Sequence, residues 1–521
     1  MSQNYLNNPL LKKRGVQLNF TADQVLEYQR CSEDINYFSK NYVKIINVDQ
    51  GLINFDPYKY QENMLKIFSE NRFVITKMPR QSGKTTAVVA YILWKILFNE
   101  SLNIAILAHK SETAQDILSR IKLAYQYLPT WLQQGVLKWN ELSIELENGC
   151  KIKAASTSSG TIRGGSYNLI FLDEFAFVPR NIADDFFSSV YPTISSGKTT
   201  QVIIVSTPNG MNHFYKMWTD AEKKRSSYVT LAVHWTDVPG RDEAWKAETI
   251  ANTSEEQFAQ EFDCQFLGGS NTLINPNVLK NIPFFDPLSS SDNFQIFSLP
   301  EKEHQYVITA DCARGLGLDY SSMLVIDITT VPHKVVCKYR SRTIHHTMFP
   351  NIICEFAKRY NEAMVLIELN DVGESVAHLL YYDLEYENLF MTNNKERLGE
   401  SGSQFLGVKT TKKTKKQGCS YLKGLIESYK LEIVDFDIIE ELSSFVQMKN
   451  SYEAEPGAHD DLVMCLVIFA WLINQEYYKN LTDINIRERI VADNSKKIEE
   501  ELMPFGSFDD GMSDIDQEYG W

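Results

Sequence analysis

Met78-Pro79-Arg80-Gln81-Ser82-Gly83-Lys84-Thr85-Thr86 lies between the apolar run Phe73-Val74-Ile75 and an apolar helical pattern that begins at Ala87. A loop ending in Gly-Lys-Thr at the mouth of a helix turns backbone N–H groups and the positive end of the helix dipole toward an anion. The lysine adds charge for the outer phosphates of a nucleotide, and the hydroxyl offers a ligand to Mg2+. Strand, loop and helix stand in the order a phosphate-binding loop requires. The usual pattern also begins with a glycine, and that position here is Met78. An ordinary glycine-bearing strand-to-helix turn has the same outline, so the loop needs support from elsewhere in the chain.

Outward from the loop, apolar runs alternate with helical patterns. Ile104–Ala108 reads as a strand, and Ser111 to Leu128 as an amphipathic helix capped by Ser111 with Glu112 in its first turn. Leu169-Ile170-Phe171-Leu172 and Val202-Ile203-Ile204-Val205 are uninterrupted apolar runs, as in central strands of a parallel sheet covered on both faces. Such a sheet binds ligands at the carboxyl ends of its strands. The first run delivers Asp173 and Glu174 to that edge, where an Asp suits a Mg2+ ligand and a Glu a general base for an attacking water. A capped turn would carry the same pair, but with Gly-Lys-Thr upstream the acids read as the second half of a nucleotide site. The second run ends in Ser206-Thr207-Pro208-Asn209-Gly210, either a plain turn or hydroxyls that sense the terminal phosphate. Before the loop, Tyr60, Met64, Ile67 and Phe68 share a helical face. Packing explains Tyr60 as well as a ligand role does, while Gln61 could read an adenine edge beside a stacked ring. Gly160-Thr161-Ile162-Arg163-Gly164-Gly165 is a basic loop suited to a phosphate or a DNA backbone.

At 521 residues the chain exceeds what one core supports, so two domains with appendages are expected. An apolar content of 44% with 23% charged residues fits a soluble globular protein. No run approaches the ~18 apolar residues of a membrane span, and Lys12, Lys13 and Arg14 are not followed by the apolar segment of a signal peptide. Eight cysteines without metal-ligand spacing point to reduced thiols and away from zinc. A net charge of -15 runs against nucleic-acid binding, but it is inflated by the stretch beyond Lys497, where Glu499, Glu500, Glu501, Asp509, Asp510, Asp514, Asp516 and Glu518 meet no base. That tail is expected to be disordered.

The composition of a linker or an irregular connection appears at 271–300, with Pro276, Pro283, Pro287 and a serine run. Beyond it, Tyr306–Ala310 delivers Asp311, a glycine-bearing turn follows, and Met323–Asp327 returns as a hairpin strand. Met364–Ile367 ends in Glu368, and His459-Asp460-Asp461 precedes the apolar helix Leu462–Ile473. Asp460 and Asp461 could simply cap that helix. Alternatively they converge with Asp311 and Glu368 as an all-oxygen cluster for Mg2+ or Mn2+ and two-metal cleavage of a phosphodiester. Between these acids lies the densest basic segment, with Lys409, Lys412, Lys413, Lys415 and Lys416. It is either a solvated face or a grip on a nucleic-acid backbone that reads no sequence.

Tyr60-Gln61, Arg80-Gln81-Ser82-Gly83-Lys84-Thr85-Thr86, Phe171-Leu172-Asp173-Glu174, Ser206–Gly210, Asp311, Glu368 and His459-Asp460-Asp461 resemble, in order and spacing, the large terminase subunit of T4-like tailed bacteriophages. The resemblance spans about residues 50–480, and that family shares the lost first glycine. It implies an α/β chain: a RecA/ASCE-type P-loop ATPase with a mainly parallel sheet at 1–270, including an N-terminal helical segment, and a linker at 271–300. An RNase H-like nuclease at 301–480 and the acidic tail at 481–521 complete it. The implied activity is an ATP-driven motor that pumps double-stranded DNA into a procapsid, with a Mg2+- or Mn2+-dependent endonuclease that cuts the concatemer at initiation and termination. By the same resemblance, Arg80 to Thr86 cradle ATP, with Lys84 on the phosphates, Thr85 and Asp173 on Mg2+, and Arg80 as an arginine finger in cis. Glu174 activates water, Ser206 and Thr207 couple hydrolysis to movement, and Tyr60 with Gln61 holds adenine. Asp311, Glu368 and Asp461 bind the nuclease metals with Asp460 as a helper. Implied partners are the portal protein, the small terminase subunit and further copies in a pentameric ring, with no membrane. The implied location is the host cytoplasm, transiently on the procapsid and not in the mature virion. Two other readings fit parts of the pattern: a repair helicase or translocase fused to a nuclease, and a nucleotide-gated head-assembly scaffold that does not cut.

Overall fold

The computed structural model describes residues 3–478 except 48, 158–164, 180–181, 184–185, 188, 190–193, 195–196, 268–270, 292, 318, 394–403, 449–450, 456–457 and 476–477. The acidic tail and most of the basic loop at 160–165 therefore lie outside the described residues. The chain opens with α1 (Ala22–Glu33), α2 (Ile35–Tyr42), the hairpin β1 (Lys44–Asn47) and β2 (Gly51–Asn54), and α3 (Lys59–Glu70). β3 (Phe73–Lys77) leads through the glycine loop into α4 (Lys84–Phe98). There follow β4 (Asn103–Ala108), α5 (Ser111–Gln126), β5 (Val136–Asn140), β6 (Ser143–Leu146), β7 (Lys151–Ser156), β8 (Leu169–Asp173), β9 (Gln201–Ser206), α6 (His213–Glu222), β10 (Val229–Ala232), α7 (Glu243–Asn252) and α8 (Glu255–Glu261).

These strands form one sheet in the order β10-β3-β9-β8-β4-β7-β6-β5, parallel from β10 to β7 and antiparallel at the β6 and β5 edge. β8 and β9 are buried along their whole length, as their unbroken apolar runs require between two layers of helices. β6 alternates buried and half-buried positions, the pattern of a sheet with one covered face. α4 is apolar nearly all round and disappears into the core, with Ala87 through Leu93 buried. α5 departs in detail from its sequence reading: Lys110 holds its N-cap position without a side-chain bond, and Ser111 is already helical.

The second sheet is built from β11 (Ser289–Ser290), β12 (Phe294–Ile296), β13 (Tyr306–Asp311), β14 (Ser321–Asp327), β15 (His333–Ser341), β16 (Met364–Ile367) and a later short strand. β13, β14 and β15 form an antiparallel meander, and β16 joins β13 in parallel. α9 (Pro276–Asn281) precedes this sheet; α10 (Phe349–Arg359) and α11 (Gly373–His378) flank β16 in the chain. Then come β17 (Thr392–Asn393), β18 (Gln404–Phe405), α12 (Lys412–Glu427), β19 (Leu431–Glu432) beside β15, α13 (Phe436–Ser444), the hairpin β20 (Phe445–Met448) and β21 (Ser451–Ala454), and α14 (Asp461–Leu472). The stretch with linker composition is largely packed structure. Leu273, Ile274 and Leu279 are buried in the second core, Leu273 N donates to Phe445 O at 3.0 Å, and β11 and β12 extend the second sheet. Its prolines mark an irregular path over that core.

α14 is the buried spine of this unit and packs on β13, β14 and α12. Gly418 permits the approach of α12, because a Cβ there would stand 2.5 Å from Val467 O. Gly424, on the same helix, faces open space. Gly418→Ala should therefore cost about 1–3 kcal/mol by overpacking, whereas Gly424→Ala should gain about 0.5–1 kcal/mol from helix propensity. Thermal unfolding checks this: the midpoint falls for the first and rises for the second, and equal shifts would refute the close contact.

Candidate active sites

β3, β8 and β9 end on one edge, and their loops interlock there. Met78, at the position of the missing glycine, is fully buried; its N–H donates to Ser206 O at 3.1 Å and its carbonyl accepts from Thr207 Oγ1 at 3.2 Å. The Tyr60 hydroxyl donates to Ser82 O. Gln61 Nε2 donates to Gly83 O at 3.1 Å, and its Oε1 accepts from Tyr58 N at 2.9 Å. Gly83 sits at φ +71° with its missing Cβ 2.5 Å from Gln61 Nε2, so a side chain there would be strained and would strike Gln61. Tyr60 and Gln61 thus brace the loop in this conformation, and both ends of the Gln61 amide are occupied.

Lys84 opens α4, nearly buried, with Nζ 2.6 Å from Glu174 Oε1 and 3.2 Å from Thr207 Oγ1. Thr85 and Thr86 follow in the first turn, half-buried. Glu174 has φ +51°, a left-handed conformation that costs a residue with a side chain on the order of 1–3 kcal/mol. Ser206 Oγ accepts from Ala176 N at 3.0 Å and so ties the end of β9 to the turn after Glu174. Asp173 is buried, and burial pushes its carboxyl up to about 6, with Lys84 opposing and Glu174 reinforcing the shift. Its Oδ1 is buried without a hydrogen bond. An oxygen left in that state beside a threonine-bearing helix start fits a Mg2+ ligand. Two residues with no signal in the motif spacing complete the edge. Glu261, at the end of α8, holds Arg80 Nε at 2.5 Å, and Arg241 Nη2 donates to Arg80 O at 2.9 Å and Gln81 O at 3.0 Å.

On the second sheet, pairing of β13 with β16 sets Asp311 and Glu368 side by side, and Glu368 N donates to Ala310 O at 3.0 Å. Asn370 Nδ2 holds Glu368 Oε1 at 3.0 Å. A cavity of about 550 Å³ opens here, lined by Asp311, Asp319, Asn370, Asp371, Asp460 and Asp461 among others. Burial, with Glu368, Asp461 and Asp460 as neighbours, holds the Asp311 carboxyl well above the usual range. Burial and then Glu441 push Asp461 up to about 8, against the pull of Arg340. Asp461 Oδ2 is buried without a hydrogen bond. Among the described residues no three acid, imidazole or thiol groups stand close enough to hold one ion, so these acids wall the cleft without closing into a ligand set. Their all-oxygen chemistry and mutual repulsion fit a divalent cation.

The capping reading of Asp460 and Asp461 is corrected here. Asp460 occupies the N-cap of α14 but makes no side-chain cap; Glu441 Oε2, from α13, accepts from Leu462 N at 2.8 Å and Val463 N at 3.2 Å. The basic run also divides. Lys409, Lys412, Lys413 and Lys416 are exposed, whereas Lys415 is half-buried with Nζ 3.7 Å from Asp460 Oδ2, inside the acid site. Asp319, which lines the cavity, went unread because it lies in a turn with no strand to point it.

Because the folded-state pKa of Asp173 lies above its ordinary value, the associated stability is present below about pH 4 and is lost as pH rises through about 6. With chelator and no nucleotide, Asp173→Asn should therefore unfold at a higher temperature than wild type at pH 8, with the difference closing near pH 4. A variant less stable at pH 8 would mean that Lys84 already compensates the buried charge.

Two family models match successive parts of the chain: "Terminase large subunit, T4likevirus-type, N-terminal" over residues 75–280 and "Terminase RNaseH-like domain" over 308–469. The terminase large subunit of Thermus virus P23-45 is 23% identical over 458 residues, covering 80% of this chain and 87% of that protein. Tripartite terminase subunit 3 of Saimiriine herpesvirus 2 is 28% identical over 143 residues, 25% of this chain and 19% of that protein. Among solved structures, the HK97 bacteriophage large terminase aligns with a TM-score of 0.49 at 14% identity, covering 84% of this chain and 99% of that one. The first matched segment holds the Lys84 site, and the second holds Asp311, Glu368 and Asp461. The chain belongs to the terminase large subunit family, with an ATPase domain followed by an RNase H-like nuclease domain.

Proposed function

We propose that this chain is the motor of viral genome packaging: it couples ATP hydrolysis to movement of double-stranded DNA into a procapsid and cuts the concatemer before and after filling. The observation that carries the reading is the pairing, in one chain, of a Lys84–Glu174 phosphate site with an acid cleft around Asp311.

In the first site Lys84 exchanges Glu174 for phosphate oxygens, which frees the Glu174 carboxylate to take a proton from the attacking water. Arg80, held at its resting place by Glu261, is long enough to swing to the same phosphates as an arginine finger. Thr85 and Asp173 hold Mg2+, while Gln81, Ser82, Gly83 and Thr86 shape the loop around the phosphates. Tyr60 and Gln61 brace it on the adenine side. Ser206 and Thr207, bonded to both the loop and the turn after Glu174, transmit the change. In the second site Asp311, Glu368 and Asp461 would close on the metals when these bind, with Asp460 beside them, and the exposed Lys409, Lys412, Lys413 and Lys416 would hold the DNA backbone. Bound divalent cations supply charge neutralisation at the phosphates in one site and an activated water in the other.

The partners we propose are the portal protein, the small terminase subunit and four further copies in a ring, the pentamer following the family resemblance. The place of action is the cytoplasm of the infected host, transiently on the procapsid and not in the mature virion. No helix among the described residues is long and apolar enough to cross a membrane.

Glu174→Gln should bind ATP as wild type does yet lose at least ~100-fold in turnover, since a general base contributes about that much. Steady-state phosphate release and nucleotide binding check it, and retained turnover would remove Glu174 from the role of base. Asp311→Asn should abolish plasmid cleavage with Mg2+ or Mn2+ and leave ATP turnover unchanged; cleavage equal to wild type would place the cutting centre elsewhere.

A further inference from the structure

We infer that Glu441 is a positioning residue of the nuclease centre: by capping α14 and engaging Arg340 it keeps the Asp461 carboxylate free to hold a cation. The inference rests on the nuclease reading of the acid cleft.

α14 is buried along almost its whole length, so its first amide groups end inside protein and need acceptors. The economical solution is the side chain at the N-cap, which here is Asp460. That side chain is committed elsewhere, 3.7 Å from Lys415 Nζ, and the acceptor comes instead from Glu441 on α13. Glu441 is 2% exposed, and a buried carboxylate needs a counter-charge. Arg340 supplies it, with Nη2 3.0 Å from Glu441 Oε1. The Arg340 guanidinium is itself buried, stacked 3.7 Å from the centre of the Tyr320 ring. Arg342 lies over the same ring and reaches His459 Nε2 at 3.3 Å, and His459 Nδ1 stands 3.7 Å from Asp461 Oδ2. Glu441 therefore separates the cavity acids from two demands on them, the helix amides and a buried guanidinium. Asp461 already feels the charge of Arg340, so without the Glu441 charge that guanidinium is left to compete with a cation for Asp461.

Glu441 and Arg340 also line a second cleft, of about 400 Å³, together with Asn209, Asn212 and Gln260 of the ATPase unit. The positioning residue thus lies between the acid cavity and the turn that follows Ser206 and Thr207.

The test uses full-length protein without nucleotide. Binding of Mn2+ is measured by electron paramagnetic resonance, and plasmid cleavage is followed as a function of Mn2+, for wild type, Asp461→Ala, Glu441→Gln and the double variant Glu441→Gln/Arg340→Met. Glu441→Gln keeps the size and an oxygen for the helix amides while removing the charge that faces Arg340. It should raise both the Mn2+ dissociation constant and the half-saturating Mn2+ for cleavage at least ~10-fold, the usual cost of losing a residue that orients a metal ligand. The double variant, lacking the competing guanidinium, should recover most of the loss, a rescue that a purely structural role does not produce. A near-ultraviolet circular dichroism spectrum like that of wild type reports that the variants are folded, and if Glu441→Gln alone fails to fold, the double variant decides by its Mn2+ affinity. Wild-type Mn2+ dependence in Glu441→Gln, or a double variant as weak as the single, overturns the inference. If wild type does not cleave, or Asp461→Ala cleaves as wild type does, the nuclease reading fails and the inference with it. If Asp461→Ala is inactive while Glu441→Gln behaves as wild type, the inference alone falls.

Discussion

A carboxylate carried out of the core on a buried strand must find a cation, because its charge cannot be left in a low-dielectric setting unanswered. Both sites of this chain are built on that constraint, and they answer it differently. On the first sheet Lys84 is internal, nearly buried, and close to both Asp173 and Glu174. Beside the second sheet Asp311, Glu368, Asp460 and Asp461 are gathered with Lys415 and Arg340 nearby; Arg340 is already engaged by Glu441, and Arg314 of the same cleft by Asp371. The surplus of negative charge and its all-oxygen chemistry suit divalent ions.

The same constraint gives the ATPase edge two internal ion pairs that nucleotide phosphates would compete for. Lys84 with Glu174, and Arg80 with Glu261, each hold a cation against an acid of the protein. Glu261 ends α8, and Arg241, just before α7, grips the carbonyls of Arg80 and Gln81, so the glycine loop is tied to the segment that precedes the second unit. A physical path continues from there. α6, which follows the Ser206–Gly210 turn, carries Tyr215; its ring lies 6.3 Å from that of Phe436, at the start of α13. Phe284, from the segment before the second sheet, packs on the same ring at 5.2 Å. α13 then carries Glu441 to the head of α14 beside the acid cleft.

Much of this was legible because strand burial writes itself into run length. Leu169–Leu172, Val202–Val205 and Met364–Ile367 are short apolar runs, and each ends in the polar residues that reach a site: Asp173 and Glu174, Ser206 and Thr207, and Glu368. Spacing failed where a contact depends on side-chain reach. The Gln61 amide, read as a candidate for an adenine edge, also bonds Gly83 and Tyr58, which nothing local announces. Proline and serine content at 271–300 marks a linker or an irregular connection without deciding between them; Leu273 and Ile274 are buried and two strands join the sheet, since composition reports local backbone preference and not what the chain lies against.

The sequence by itself determined which groups stand at the strand ends: a glycine loop closed by Lys84, an Asp-Glu pair, and acids on a second sheet followed by a buried helix. Hydrophobic periodicity and run length report burial, and the residue after a buried run must emerge at an edge. Only the tertiary structure decided that Glu441 and not Asp460 caps α14, that Lys415 turns into the acid cleft while its neighbours face outward, and that Glu261 restrains Arg80. Those pairings join residues brought together by the packing of separate elements, and no local pattern in the chain records which long side chain reaches across.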